Sequence, residues 1–115
     1  MKALITGTSQ GIGKATAELF LKNNIEVVGV DLNESTIDHP NYKHYRDSIV
    51  NFREVISDLT YIVHNAGIQI GPDVISVNLE ATIALDTFYR GLNPNLKAVT
   101  FNTSISGKLY LSRIT

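Results

Sequence analysis

The stretch Gly7-Thr8-Ser9-Gln10-Gly11-Ile12-Gly13 constrains this chain more than any other, because of what flanks it. Lys2 to Thr6, just before it, is a short apolar run of strand type. Ile12, Ala15, Thr16, Leu19 and Phe20, within and after it, recur at helical spacing and predict an amphipathic helix that ends at Asn23-Asn24. A strand that turns through glycines into a helix gathers backbone N–H groups and the positive end of a helix dipole at one point, which suits a phosphate. Glycines let the backbone approach that phosphate, and Gly13 lets the helix pack close to the strand. On the motif alone, a glycine-rich turn without a ligand stays open. A nucleoside-triphosphate P-loop does not fit: its first glycine would fall at Thr8, and Ala15 stands where a magnesium-binding hydroxyl is needed.

The rest of the chain continues the alternation of short β-type runs with helical patterns, which predicts an α/β fold with a parallel sheet. Glu26 to Asp31 reads as a second strand, Leu32 to Asn41 as a polar loop, and Tyr42 to Arg46 as a weak third strand. Phe52, Val55, Ile56 and Leu59 recur at helical spacing, with Asn51 and Glu54 placed like a capping box, so a helix is expected there. Thr60 to His64 reads as a fourth strand. A turn at Gly67 to Gly71 then leads through Pro72 into a long helix, about Asp73 to Arg90, with Val74, Val77, Ala81, Ala84 and Phe88 on its apolar face and Gly91 as its C-terminal cap. Lys97 to Asn102 is the fifth expected strand.

Residues 1–115 read as one domain, without repeats or linkers. A net charge of -1 with scattered Lys and Arg gives no electrostatic case for nucleic acid or an anionic membrane. The absence of cysteine excludes disulfides, thiolate metal sites and cysteine nucleophiles. No apolar stretch is long enough to span a bilayer, and the first one runs too soon into glycines for a signal peptide, so a cytoplasmic location is expected. The glycosylation-type triplets at Asn33 and Asn102 are then chance matches.

Asp31 supplies the second half of a nucleotide site. At the end of the second strand, a carboxylate can accept hydrogen bonds from both hydroxyls of an adenosine ribose and repel a 2′-phosphate. Leu32 follows it, with no adjacent Arg or Lys, which favours NAD over NADP. A turn-starting aspartate is the plainer alternative.

Thr6-Gly7-Thr8-Ser9-Gln10-Gly11-Ile12-Gly13 resembles the TGxxxGxG fingerprint of the short-chain dehydrogenase/reductase family. His64-Asn65-Ala66-Gly67 resembles its NNAG motif, Asn78 its helix asparagine, and Ser104 its catalytic serine, with Ser106 a minor rival. The resemblance implies a Rossmann-like doubly wound sheet in the order 3-2-1-4-5 and an NAD-dependent oxidoreductase that interconverts an alcohol and a carbonyl. It implies cofactor contacts from Gly7, Ser9, Gln10, Gly11, Ile12, Gly13, Asp31, Leu32, Asp47, Asn65, Ala66 and Gly67, a proton-relay role for Asn78, and a substrate-oxygen contact for Ser104. Substrates in keeping with it are 3-oxoacyl thioesters, steroids and small secondary alcohols, and homodimers or homotetramers are the expected assemblies.

Three departures stand out. His64 replaces the first asparagine of NNAG and reads as a packed or half-exposed histidine, not a ligand, with no other histidine or carboxylate cluster beside it. The segments from Asp47 to Asn65 and from Gly67 to Asn78 are short for the family. The family's tyrosine, the general acid/base, is expected about a dozen residues beyond the serine, with a lysine one helical turn later that lowers its pKa. Tyr110 lies too close to Ser104, and Ile114 stands at the lysine position. The chain is therefore expected to be the N-terminal part of a longer enzyme, lacking the family's last strands and inactive alone; the alternative is a truncated or decayed nucleotide-binding module without catalysis.

Overall fold

The computed structural model describes residues 1–66 and 74–101, with only the backbone described for 74–78. Five strands and two helices follow in the order β1 (Lys2–Thr6), α1 (Gly11–Lys22), β2 (Glu26–Asp31), β3 (Tyr42–Arg46), β4 (Tyr61–His64), α2 (Val74–Leu92) and β5 (Ala98–Phe101). All strand pairs are parallel and the sheet order is β3-β2-β1-β4-β5, as expected for the doubly wound class. The order reverses at β1, so the crevice between the carboxyl ends of β1 and β4 is the place where such sheets bind ligands.

Alternate residues of the central strands face two separate cores. Ala3 and Ile5 of β1 pack with Ala17 and Leu21 of α1 and with Val63 of β4. Leu4 and Ile62 face the opposite side and pack with Leu85 and Tyr89 of α2 and with Ile49, Phe52 and Leu59. With both faces covered, β2 is an apolar run, Val27 to Val30 all buried, as parallel strands require.

The helix expected around 52–59 does not form; those residues run without regular structure. A turn at Ser48 opens the segment, with the N–H groups of Asn51 and Phe52 both donating to the Ser48 carbonyl. The groups of the segment are then taken up by α2 and its C-terminal end. Asn93 Oδ1 accepts from Leu59 N at 2.8 Å, its Nδ2 donates to the Ile56 carbonyl at 2.8 Å, and Tyr89 Oη donates to the Glu54 carbonyl at 2.7 Å. The apolar residues Phe52, Ile56 and Leu59 are still buried, but Val55 is 73% exposed. Periodicity located three of the four core contacts and misread Val55 and the backbone conformation, because tertiary hydrogen bonds replaced helical ones.

Helix α1 is also rotated from the face read in the sequence, whereas in α2 Ala81 and Phe88 face the core as read and Ala84 departs. In α1 the buried residues are Gly13, Ala17 and Leu21, while Ile12 and Leu19 are 63% and 58% exposed. The tightest contact fixes the rotation: a β-carbon on Gly13 would overlap the Gly7 carbonyl oxygen, so this helix faces the sheet through its smallest residues. In α2, Ala81, Leu85 and Tyr89 are buried and Ala84 is exposed. Gly91 lies inside α2 rather than capping it, and the chain leaves the helix at Asn93, whose N–H donates to the Arg90 carbonyl. Asn24, at φ 63°, does end α1 in the left-handed conformation. The turn expected at Gly67 to Gly71 and the start at Pro72 lie outside the described residues.

Candidate active site: a dinucleotide cradle

The carboxyl ends of β1, β2, β3 and β4 carry the candidate residues. β1 ends in Thr6, whose Oγ1 accepts from the N–H groups of Asn65 and Ala66, each at 2.9 Å. That hydroxyl ties the end of β4 to the start of the glycine loop. Gly7 follows at φ 75°, and Gly11 at φ 61°. Gly7 N–H donates to the Val30 carbonyl at 2.7 Å, so the loop is anchored on β2, and Asn65 Nδ2 reaches the Gly7 carbonyl at 3.3 Å.

Helix α1 opens without a protein cap. Gln10 stands at the N-cap in extended conformation and makes no side-chain capping bond, and the first turn holds no acidic residue. Helix N-termini leave N–H groups without intrahelical partners. Here no side chain of the N-cap takes them, and the dipole end is not neutralised by a carboxylate within the turn. The arrangement can hold an anion.

Asp31 closes the other side of the cradle. Its Oδ2 accepts from Ser9 N at 2.9 Å and its Oδ1 from Asn33 N at 2.9 Å. A carboxylate oxygen can accept more than one hydrogen bond, so both oxygens keep capacity for a pair of hydroxyls. The chain from Asn33 to Thr36 lies along Ser9: Ser9 Oγ donates to the Glu34 carbonyl at 2.8 Å, and Thr36 Oγ1 donates to the Ser9 carbonyl at 2.7 Å. Asp47 N–H donates to the Asp31 carbonyl at 3.0 Å, which sets Asp47 just past β3 beside the same corner, and Leu32 is 59% exposed there. Gly7, Ser9, Gln10, Gly11, Ile12, Gly13, Asp31, Leu32, Asp47, Asn65 and Ala66 therefore gather along one end of the sheet. Gly67, Ser104, Ser106 and Tyr110 lie outside the described residues, and of Asn78 only its place in α2 is described.

Sequence reading missed a polar chain beneath this corner. Thr8 Oγ1 and Tyr42 Oη are 2.6 Å apart, Tyr42 Oη and His44 Nδ1 are 2.6 Å apart, and His44 Nε2 meets the Asn33 carbonyl at 2.9 Å. Since a carbonyl only accepts, Nε2 carries a proton there. A β-carbon on Gly29 would sit 2.6 Å from Thr8 Oγ1, so glycine in β2 makes room for the chain. Burial raises the Tyr42 phenol above its ordinary value, and the Thr8 hydroxyl opposes that. Nothing in the spacing of these residues announces the chain, since its members come from three separate elements.

Of the packed and half-exposed placements left open by the sequence, His64 takes the packed one, and a single carboxylate that the sequence did not announce accompanies it: Nε2 lies 2.8 Å from Asp86 Oδ1, and Arg90 Nε donates to Asp86 Oδ2 at 2.6 Å. The His64 ring stacks on Phe101 with centroids 4.7 Å apart, and its Nδ1 is buried without a hydrogen-bond partner. The two residues stand 22 positions apart in sequence, which made the pair invisible to local pattern. Burial pushes the Asp86 carboxyl upward, but the hydrogen bonds from His64 and Arg90 outweigh it and hold the group below its ordinary value of 3.8. A carboxyl depressed in the folded state contributes stability above its unfolded value, lost as pH falls through the folded one. Asp86→Asn is therefore expected to cost about 2–4 kcal/mol near neutral pH, by leaving the buried histidine and Arg90 without their anion. In acid denaturation monitored by circular dichroism, the gap between wild type and variant should narrow as pH falls below 3.8. A gap that stays constant with pH would contradict the ion-pair assignment.

Among the described residues no group of histidines and acids could hold a metal ion, and no helix is long and apolar enough to cross a membrane.

A parallel sheet with its order reversing at a glycine-rich turn defines the doubly wound, dinucleotide-binding class of fold. Within that class, residues 1–51 match the family model for short chain dehydrogenase, so the resemblance read from the fingerprint is borne out over that segment. No curated protein matches the chain. Among solved structures, a short-chain dehydrogenase/reductase superfamily protein from Agrobacterium tumefaciens with bound NAD is similar, at TM-score 0.71 and 18% identity over 88% of this chain and 32% of that one. The Bordetella bronchiseptica enzyme WbmH in complex with NAD+ is 29% identical, at TM-score 0.59, over 79% of this chain and 34% of its own. Yeast methylglyoxal/isovaleraldehyde reductase Gre2, complexed with NADPH, is 14% identical at TM-score 0.60, over 77% and 33%. The chain spans about a third of the length of each of these three proteins.

Proposed function

We propose that this chain forms the NAD-binding part of a short-chain dehydrogenase/reductase that interconverts an alcohol and a carbonyl. The observation that carries the reading is the uncapped N-terminus of α1, set by the Gly13–Gly7 contact beside a carboxylate that already holds the backbone of the same loop. Pyrophosphate would lie on the N–H groups of Gly11 to Gly13, with Gln10 at the rim. The adenosine ribose would bridge to Asp31 through its two hydroxyls, with Ser9 beside it and Leu32 and Asp47 flanking the base. Asn65, Ala66 and Gly67 would line the nicotinamide side, near Ile12. When bound, the cofactor supplies or accepts the hydride.

The rest of the chain's part in the reaction is positional. Thr6 holds the Asn65–Ala66 backbone against the loop. Ser104 is proposed to hydrogen-bond the substrate oxygen and Asn78 to hold a water in a proton relay; these two stand on the family resemblance. NAD bound in the Agrobacterium and Bordetella structures agrees with the NAD reading, and NADPH in the yeast structure shows that the fold takes both. The preference for NAD therefore rests on Asp31. Replacing Asp31 by Ala removes two ribose hydrogen bonds and the charge opposing a 2′-phosphate, so NADH affinity should fall about tenfold while NADPH affinity falls less or rises. Calorimetric titration with each dinucleotide checks this, and an unchanged ratio of the two affinities would show that Asp31 does not read the ribose.

A further inference from the structure

Leu32 follows Asp31 in the chain, and no cation is adjacent to it in sequence, yet the structure brings one there from β3. Asp31 and Arg46 are register partners in the parallel β2–β3 pair, so their side chains leave the sheet on the same face. Arg46 Nε donates to the Leu32 carbonyl at 3.0 Å, which ties the guanidinium to the backbone of the residue after Asp31. One of its terminal nitrogens lies 3.7 Å from Glu34 Oε1. Glu34 is held in turn, because its backbone carbonyl accepts from Ser9 Oγ in the glycine loop. Both ends of the pair face solvent, at 64% and 84% exposure, so the pair adds little to stability and both groups are open to an arriving ligand.

We propose that Arg46 and Glu34 together set how strongly this site discriminates against a 2′-phosphate. The inference rests on the dinucleotide reading above and adds a specificity determinant to it. A guanidinium at the ribose corner is a natural partner for a phosphate dianion, since its planar fork matches phosphate oxygens. Glu34 compensates that charge. With the pair intact, the corner keeps the negative charge of Asp31, which tolerates ribose hydroxyls and opposes a phosphate. With Glu34 neutral, Arg46 offsets Asp31 and the corner no longer opposes the phosphate. The sequence neighbourhood of Asp31 thus describes the site only partly, because the opposing charge comes from the adjacent strand.

The test measures dissociation constants of NADH and NADPH by calorimetry for wild type, Glu34→Gln and Arg46→Gln, at low and at physiological ionic strength. Glu34→Gln is expected to shift the affinity ratio about fivefold toward NADPH at low salt, with the shift shrinking as salt screens it. Arg46→Gln is expected to move the ratio the opposite way. A ratio unchanged in both variants, with NADH still bound, would overturn the role of the pair and leave the dinucleotide reading standing. Failure of the folded wild-type chain to bind either dinucleotide would overturn that reading itself, and this inference with it.

Discussion

Asn93→Ala is expected to destabilise the fold by about 3–5 kcal/mol, one of the two largest effects foreseen for a single substitution in this chain. The asparagine is 3% exposed and sits just past α2. Its amide accepts from Leu59 N at 2.8 Å and donates to the Ile56 carbonyl at 2.8 Å and the Tyr89 carbonyl at 2.9 Å. Residues 52–59 have no helix or strand of their own to satisfy these groups. Truncation leaves a buried N–H and two buried carbonyls without their partner, and each such group costs about 1–3 kcal/mol. The midpoint of thermal unfolding should fall by more than about 10 °C. A shift of about 2 °C or less would mean that the segment holds its course without the clamp.

The second large effect separates two glycines of one loop. At Gly13 a β-carbon would overlap the Gly7 carbonyl oxygen and stand 2.5 Å from Asn65 Nδ2. Both neighbours are fixed, one as backbone and the other through its bond to that same backbone. Gly13→Ala must therefore push α1 away from β1 and spread the cradle. Dinucleotide affinity should fall at least about a hundredfold, because the N–H groups no longer converge on the pyrophosphate. At Gly11 nothing lies within 4 Å of such a carbon, and only its φ of 61° disfavours a side chain. Gly11→Ala should cost about 1–2 kcal/mol of stability and far less binding. Titration of both variants with NADH checks the order; equal losses would mean that the close packing of helix on strand is not what shapes the site.

The central strands and the parallel character of the sheet were legible because each depends on local pattern, while the strand order came from the family resemblance. Val27, Val28 and Val30 mark a second strand, and the glycine loop marks where β1 passes into α1. Two things were not legible. The rotation of α1 was misread because the residues in closest contact with the sheet are Gly13 and Ala17, while the larger Ile12 and Leu19 point outward. Hydrophobic pattern weighs size, and close packing here selects against it. The segment at 52–59 carries helical spacing, but its hydrogen bonds go to Asn93 and Tyr89, which lie far along the chain. The same separation hid the pairing of His64 with Asp86, the chain from Thr8 through Tyr42 to His44, and the approach of Arg46 to Asp31's neighbour. The cradle residues that carry a family motif were found, although they come from four strand ends, while the polar partners that meet across strands were not.

The glycine loop and Asp31 are proposed to bind a nicotinamide dinucleotide. The most direct measurement is a fluorescence titration of the purified, folded chain with NADH, run beside Gly13→Ala. Saturable binding at one site per chain, with a dissociation constant at or below about the millimolar range and lost in the variant, is the result predicted. A folded wild-type chain that shows no saturable binding at millimolar NADH, or a variant that binds as tightly, would contradict it.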